Sequence, residues 1–195
     1  MLRRTFVKAV AAFGVALAGS MRGIMDTDAK PVTPTSANTH DMVITRQFDA
    51  PVERVWQAWI DAEDVKRWWG PKAFTAPVAE MDVCDGETSF VCMRSPEGQD
   101  LCNTWTYQKV VPHELLEFIQ RFADEDGNAI DPVGLGLPPE IPAEVRHVVT
   151  FNELANDRTE LTVTEYGYPV AWIVEVSAAG MNECLDKMES LVSGT

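Results

Sequence analysis

The amino-acid sequence predicts an α+β domain in which a curved antiparallel sheet of about 6–7 strands wraps around a long C-terminal helix. Three observations point to this fold. After an initial strand, apolar residues repeat at helical spacing in two short segments, and they then alternate with polar residues through six further segments. Short turn signals separate most of those six segments, which is typical of antiparallel neighbours. Helical spacing returns once more near the C-terminus.

An initial strand and two short helices open the predicted domain. Residues 42–48, MVITRQF, read as a strand. A helix over 51–60 begins with a proline, which is favoured in the first turn of a helix. A second short helix runs from about residue 63 to 69, and Gly70-Pro71 ends it.

Six strand-like segments follow, in which apolar and polar residues alternate with a period of two. They cover residues 77–84, 87–94, 101–111, 114–123, 144–154 and 159–167. Turn-forming pairs such as Asp85-Gly86 and Pro112-His113 stand between them. Because most connections are short, we expect the sheet to be an antiparallel meander.

One connection is much longer than the others. Residues 124–144 contain three glycines and four prolines in 21 residues. A loop of that length in a compact domain is usually a lid, a binding loop or disordered. We therefore expect residues 124–143 to form the mouth or the lid of a cavity.

The last predicted element is a long helix over about 170–192. It has an apolar stripe opposite a charged one, as an amphipathic helix does. The apolar stripe consists of Met181, Cys184, Leu185, Met188, Leu191 and Val192. Gly180 interrupts the helix at some cost in propensity and would let another group approach closely. A curved sheet need not close tightly on such a helix, so we expect a cavity between them.

The N-terminus reads as an export signal. Arg3, Arg4 and Lys8 precede or enter an uncharged apolar run over 9–18, and Ala16-Leu17-Ala18 supplies a small-residue cleavage site. The run is too short to span a bilayer comfortably. The Arg-Arg pair also resembles the bacterial twin-arginine signal, which exports proteins that are already folded.

These features predict a signal peptide over 1–18 and a disordered linker over 19–41, which is rich in Thr, Ser, Pro and Asp. The mature protein is then expected to be periplasmic or otherwise exported, with no stable membrane insertion after the signal is removed. The alternatives are an amphipathic N-terminal helix or a true start at Met21 or Met25. Either would leave the protein in the cytoplasm.

Composition excludes several classes of function. The chain has 195 residues, 46% of them hydrophobic, which is enough for a sizeable core. Its net charge of −14 argues against nucleic acids and anionic membranes as partners, since both attract basic patches. The motifs GxSxG, GxGxxG and GxxxxGK[ST] are absent from the sequence. Three histidines and no CxxC pair argue against a structural zinc site, and we expect no metal and no cofactor.

Two of the four cysteines have a defined expected geometry. If residues 96–99 form a hairpin turn, Cys92 and Cys102 lie opposite each other on neighbouring strands. An exported protein could oxidise such a pair to a disulfide. Two buried free thiols remain the alternative.

Aromatic and methionine side chains are the candidates for a ligand site. Neighbouring residues on a helix point about 100° apart, so Trp68 and Trp69 cannot share one direction. Either both are core, or Trp69 lies at the rim of the cavity. The full candidate set for ligand binding is Trp69, Phe74, Phe90, Met93, Trp105, Tyr107, Phe122 and Met181. Most could equally be ordinary core residues, because the sequence does not show which phase of each strand faces the cavity.

His147 is the one histidine that the pattern places within a strand. We interpret it as a partly exposed strand residue. A role as a general acid or base would require a partner, and Glu117, Arg121 and Arg146 are the nearby candidates. No catalytic residue is predicted.

The segment FDAPVERVWQAWIDAEDVKRWWGPKAFTAP (48–77) resembles the opening of the family named for the activator of the heat-shock protein 90 ATPase. Segments 149–154, 159–167 and 180–188 also match that family's order. The chain departs from it at Met181, where Trp is common, and at Gly86-Glu87, where Gly-Gly is frequent. The family belongs to the START-like (SRPBCC) helix-grip superfamily, so the resemblance implies a helix-grip domain over 42–193 with an internal apolar cavity. It implies no shared catalytic set.

Three functions are compatible with these features. The first is the binding or sensing of a small apolar molecule in the cavity, without catalysis. The second is an enzyme of the cyclase or dehydratase type acting on a polyketide-like substrate, which a buried acid–base pair in the cavity would favour. The third is a module that activates a chaperone ATPase, as the family name suggests, although export argues against it. The sequence does not indicate an oligomeric state.

Overall fold

The computed structural model describes residues 39–194. The predicted signal peptide (1–18) and nearly all of the predicted linker (19–41) lie outside the described residues. The elements in chain order are β1 (His40–Phe48), α1 (Val52–Ile60), α2 (Ala62–Trp68), β2 (Thr75–Glu80), β3 (Thr88–Arg94), β4 (Asp100–Val111), β5 (Leu115–Ala123), a 3₁₀ helix (Pro132–Leu135), β6 (Glu144–Leu154), β7 (Arg158–Tyr168) and α3 (Ala171–Val192). None of these helices is long and apolar enough to cross a membrane.

Seven antiparallel strands form one sheet in the order β1-β7-β6-β5-β4-β3-β2. Strands β2 to β7 are a meander, as their short connections predict, and β1 adds to the open side of β7. The three helices complete a helix-grip α+β fold, which confirms the predicted fold class.

The two faces of the sheet differ in burial. On the inner face, which packs against the helices, one row of side chains crosses four adjacent strands at the same register: Tyr107, Phe118, His147 and Glu165. All four are at least 97% buried. Two of them, His147 and Glu165, carry ionisable side chains, and buried polar groups normally require hydrogen-bond partners.

A bulge in β7 shapes the end of this row. Between the pairs Met42–Glu165 and His40–Tyr168, β7 has one residue more than β1. Gly167 adopts φ +89°, and its N–H donates to Asp41 Oδ1 at 3.0 Å. A bulge re-aims side chains. It allows Glu165 and Tyr168 both to lie buried on the inner side, although they are three residues apart.

The loop after α2 is tightly packed against the sheet. Asp61 caps α2 by accepting from the Asp64 N–H at 3.0 Å, and the Trp68 Nε1–H donates to the Ala58 carbonyl at 2.7 Å. Gly70 then adopts φ +93°, and a Cβ there would lie 3.1 Å from Phe74 Cβ. Only glycine therefore fits this turn without strain.

Helix α3 is held at one edge of the sheet by β1 and at the other edge by the loop before β2. Arg46 on β1 forms an ion pair with Asp186 at 2.6 Å. Lys187 Nζ donates to the carbonyl oxygens of Gly70 and Phe74, each at 2.8 Å. These contacts hold the helix across the inner face while leaving space beneath its N-terminal half.

Two local predictions have definite outcomes. Strand β2 ends at Glu80, earlier than the predicted 84, because the Asp82 N–H donates to Ser89 Oγ instead of to the strand ladder. Cys92 and Cys102 pair across β3 and β4 and form a disulfide. Of the two alternatives that the sequence leaves open for these cysteines, the structure therefore has the bridge.

Candidate functional site

One cavity among the described residues lies between the loop after α2, the sheet and α3. Its volume is about 110 Å³. It is lined by Trp69, Gly70, Pro71, Met93, Gln120, Glu165, Tyr168, Ser177, Gly180, Met181 and Cys184. We call it the polar cavity, because a buried carboxylate and two hydroxyl groups lie in its wall.

The second cavity adjoins the first and has a volume of about 180 Å³. It is lined by Met93, Leu101, Asn103, Gln120, Phe122, Leu137, Ile141, Pro142, Val145, Tyr168, Ile173, Val176 and Ser177. We call it the apolar cavity, because most of these side chains are aliphatic or aromatic. Met93, Gln120, Tyr168 and Ser177 line both cavities. The two spaces are therefore neighbours with a shared wall.

The long connection between β5 and β6 covers the apolar cavity. Leu137, Ile141 and Pro142 from this segment form part of the wall. The 3₁₀ helix before them begins with an Asp131 cap, whose side chain accepts from the Val133 N–H at 2.9 Å. The segment therefore covers the cavity with Leu137, Ile141 and Pro142, and the capped 3₁₀ helix comes directly before these residues in the chain.

A buried carboxylate is the centre of the polar cavity. Glu165 is only 3% exposed, and its Oε2 accepts hydrogen bonds from the Tyr168 and Ser177 hydroxyl groups. These hydroxyl oxygens lie 3.1 Å apart. Burial, and then the neighbouring Glu165, raise the pKa of Tyr168 well above its usual range, so its hydroxyl stays protonated and donates.

His147 lies beside this carboxylate. Its Nδ1 is 3.6 Å from Glu165 Oε1, and its ring stacks on Phe118 with the centroids 4.8 Å apart. Burial lowers the pKa of His147, while the Glu165 charge acts in the opposite direction. Neither ring nitrogen has a hydrogen-bond partner within residues 39–194.

The prediction of a partly exposed His147 is therefore wrong, since the residue is 2% exposed. The partners suggested for His147 lie on the opposite face of the sheet, where none of them pairs with His147. Arg146 donates to Glu117 at 2.8 Å, and Arg121 pairs with Glu144 at 2.8 Å. They belong to the alternate phase of their strands, which points away from His147.

Three further polar atoms in the cavity walls have no hydrogen-bond partner among the described residues. They are Trp69 Nε1, Gln120 Oε1 and Asn103 Oδ1. Asn103 is 1% exposed, and its Nδ2 donates to the Arg121 carbonyl at 3.4 Å. Unpaired buried polar atoms are rare in native proteins and mark places where another group can bind.

Cys184 also lines the polar cavity, but its thiol is not activated. Burial raises its pKa to about 12, and nearby Lys187 opposes this shift only in part. A thiol that stays protonated is a poor nucleophile. We therefore assign Cys184 to the wall and not to chemistry.

The predicted ligand-binding residues separate into two groups. Four of them line the cavities, namely Trp69, Met93, Phe122 and Met181. The other four, Phe74, Phe90, Trp105 and Tyr107, are not among the lining residues. Trp69 and Trp68 also differ, since Trp68 is fully buried core and does not line either cavity.

The other four residues pack elsewhere in the fold. Trp105 lies beneath Trp69 with ring centroids 4.8 Å apart, and the Tyr107 hydroxyl is 3.2 Å from Ser89 Oγ. Phe90 belongs to the alternate phase of β3, next to Cys92, and so faces away from the helices. Phe74 is buried in a small cluster with Leu101.

Sequence reasoning missed Glu165, Tyr168, Ser177 and Gln120. The sequence contained a signal for Glu165 and one for Tyr168. Glu165 continues the phase of Leu161 and Val163, which are both fully buried, and Gly167 marks a bulge close to the end of the strand. Ser177 has no such signal, because the first turns of α3 expose residues on several sides.

Comparisons with known proteins agree with this architecture. Residues 49–193 match the family described as activator of Hsp90 ATPase homolog 1-like protein. No curated protein matches the chain.

Solved bacterial structures are similar over most of the domain. Protein Ms6760 from Mycobacterium smegmatis is 26% identical, covering 85% of this chain and 99% of its own, with a TM-score of 0.64. Protein CV1439 from Chromobacterium violaceum is 25% identical, covering 78% and 96%, also with a TM-score of 0.64. The AHSA1 protein SPO3351 from Silicibacter pomeroyi shares the fold at 18% identity, 79% and 98% coverage and a TM-score of 0.64. The family match spans most of the chain, which therefore belongs to the activator of Hsp90 ATPase homolog 1-like family within the START-like superfamily.

Proposed function

We propose that this protein binds a small, largely apolar molecule in the paired cavities between the sheet and α3. The observation that carries the proposal is the adjacency of the two cavities, which share four wall residues. Concave, mostly apolar sites with a few polar groups are typical of small-molecule binding. The fold of the family is compatible with this function.

The cavity volumes limit the size of the ligand. An apolar cavity of about 150 Å³ is large enough for benzene. The apolar cavity, at about 180 Å³, therefore accommodates one ring or a short branched chain. The polar cavity, at about 110 Å³, accommodates a smaller group attached to it.

Access would be controlled by residues 124–143. Leu137 and Ile141 cover the apolar cavity, and displacing them would open it toward solvent. This part of the proposal predicts that the segment becomes better protected from hydrogen exchange when a ligand is bound.

Native mass spectrometry of protein purified from its own host tests the proposal first. We expect an adduct of the size that the two cavities allow, roughly 100–200 Da by comparison with benzene, that disappears on denaturation. A cavity-filling variant, Gly180→Met, should lose the adduct, because Gly180 lines the polar cavity. Ser190→Met, at an exposed position of the same helix, is the matched control. A folded Gly180→Met protein that keeps the full adduct would contradict the proposed site.

A second function is favoured by one specific observation, the buried Glu165 and His147 pair. We infer that a bound polyketide-like substrate could exchange a proton with Glu165, as in a cyclase or dehydratase. Glu165→Gln distinguishes the two functions, since an enzyme would lose turnover while still binding its substrate. The family description alone carries the third function, activation of a chaperone ATPase.

We also propose that residues 1–18 direct export of the protein. The basic and apolar pattern of this segment supports the proposal. Fractionation of the native host should place the mature chain outside the cytoplasm, and replacing both Arg3 and Arg4 with Lys should retain it inside if the route is the twin-arginine one. Full-length protein confined to the cytoplasm would contradict export.

A further inference from the structure

We propose that the ligand bears a hydrogen-bond donor, a hydroxyl or an amine, which binds at Glu165, and that carboxylate-bearing molecules of the same shape are rejected. This inference rests on the proposed binding function and specifies the chemical class of the ligand. It comes from the polar atoms in the cavity walls.

Acceptors in the walls have unused capacity. Glu165 Oε1 lies 3.6 Å from His147 Nδ1 and accepts no hydrogen bond from the described residues. Asn103 Oδ1 is also unpaired, and its amide nitrogen is already bound to the Arg121 carbonyl. A ligand group in the polar cavity that donates a hydrogen bond would pair with Glu165 Oε1, whereas an acceptor would not; Asn103 lines the apolar cavity and would need a second donor on the body of the ligand.

The two hydroxyl donors in the same walls are occupied. The Tyr168 and Ser177 hydroxyl groups both donate to Glu165 Oε2. Trp69 Nε1–H is an unpaired donor, and the Gln120 amide can turn to present either of its ends. A carboxylate oxygen is the strongest of the available groups, so Glu165 Oε1 favours a ligand that donates to it.

The charges around the cavities also disfavour a ligand that carries a carboxylate. Within residues 39–194, no lysine or arginine lines either cavity. Lys187, which lies near Cys184, already donates to the carbonyls of Gly70 and Phe74. A ligand carboxylate would enter beside Glu165 with no cation to balance it, and burying an uncompensated charge is strongly unfavourable.

The ligand is also oriented by this arrangement. Its donor would lie in the polar cavity, and its apolar body would lie in the apolar cavity under Leu137 and Ile141. Gln120 lines both cavities and so stands beside the point at which the two parts of the ligand join.

Four probes with the same aromatic body test the inference: 2-phenylethanol, 2-phenylethylamine, phenylacetate and ethylbenzene. Binding is measured on the full chain by isothermal titration calorimetry. We expect the alcohol or the amine to bind about tenfold more tightly than ethylbenzene, and phenylacetate to bind more weakly than ethylbenzene. Preference for the amine would show recognition of positive charge, and preference for the alcohol would show recognition of a neutral donor.

Variants assign the effect to Glu165. Glu165→Gln should reduce the preference for the amine over ethylbenzene, and Glu165→Leu should abolish the preference for both donors while ethylbenzene still binds. Glu144→Gln removes an exposed carboxylate and should change nothing. Thermal melting checks that each variant is folded.

Failure of the proposed binding site and failure of the inference about the donor would give different results. If none of the four probes binds the wild-type protein, the proposed binding site itself is wrong, and the inference falls with it. If ethylbenzene binds but phenylacetate binds as tightly as the alcohol and the amine, the site is real and the inference about the donor is overturned. An unchanged ranking in folded Glu165→Leu protein would also overturn it.

Discussion

His147 Nδ1 and Glu165 Oε1 face each other at 3.6 Å from directly opposite positions on β6 and β7, within the buried core. Glu165 lines the polar cavity, and His147 is buried beside it without lining either cavity. The protonation state of the buried His147 therefore affects stability.

The stability of the protein should decrease as the pH falls through the range in which histidine titrates. Burial lowers the pKa of His147 in the folded state, so the unfolded chain, with an ordinary pKa of about 6.5, binds the proton more readily. The contribution of His147 to the free energy of unfolding is then fully present above about pH 6.5, and it decreases as the pH falls below that value. Urea denaturation between pH 7.5 and 5.5 measures this slope. His147→Phe should flatten it, whereas exposed His40→Gln should not, and equal slopes in both variants would contradict the assignment.

The two neighbouring tryptophans should respond differently to replacement by phenylalanine. Trp68→Phe removes a buried ring portion and leaves the Ala58 carbonyl without its 2.7 Å donor, at a cost of about 2–4 kcal/mol. Trp69 Nε1 has no hydrogen-bond partner among the described residues, so Trp69→Phe should cost about 1 kcal/mol. Urea denaturation of the two variants measures the difference. A similar loss in both would show that Trp69 is as much a core residue as Trp68.

Gly70→Ala should destabilise the protein more than the same change at Gly86. Both residues have positive φ, so both variants incur the cost of about 1 kcal/mol for that conformation. At Gly70 the added Cβ would also lie 3.1 and 3.2 Å from the Cβ atoms of Phe74 and Met93, whereas nothing lies within 4 Å at Gly86. We expect an additional loss of about 1–2 kcal/mol at Gly70. Thermal denaturation of the two variants provides the comparison, and equal losses would exclude the steric part.

The disulfide should be detectable and stabilising. Intact mass before and after reduction, with alkylation, should show two more reactive thiols in the reduced protein. The bridge joins residues separated by 10 positions, and closing a loop of that size in the unfolded chain is worth about 3 kcal/mol in the chain-entropy treatment. The double variant Cys92→Ala, Cys102→Ala should lose about that amount, and Cys84→Ser, at an exposed free thiol, should not. Two reactive thiols at positions 92 and 102 in oxidised protein would contradict the bridge.

The order and type of the elements were predictable from the sequence because their signals are local. The apolar stripe of α3 and the turns of the meander each depend on a few neighbouring residues. The inner face was harder to assign, because a strand shows two phases and the sequence does not say which one meets the helices. Phe90 and Met93 illustrate this, since they lie three residues apart on β3 and face opposite sides.

The polar part of the site depends on long-range placement. Glu165 and Ser177 meet only because α3 returns across the inner face after β7, and Tyr168 joins them through the bulge at Gly167. His147 lies beside Glu165 because of the register between β6 and β7. The inward phase of Glu165 can be read along β7, but its contacts with Ser177 and His147 cannot, so the sequence predicted the cavity without its acidic wall.

The pairing of β1 with β7 has a consequence for synthesis. Phe48 at the end of β1 pairs with Thr159, so the sheet is completed only after more than a hundred further residues have been added. At 5–20 residues per second, a nascent chain waits roughly 5–20 s with β1 unpaired. During that time the inner-face side chains of β1, among them Met42 and Phe48, lack the β7 strand beside which they become buried.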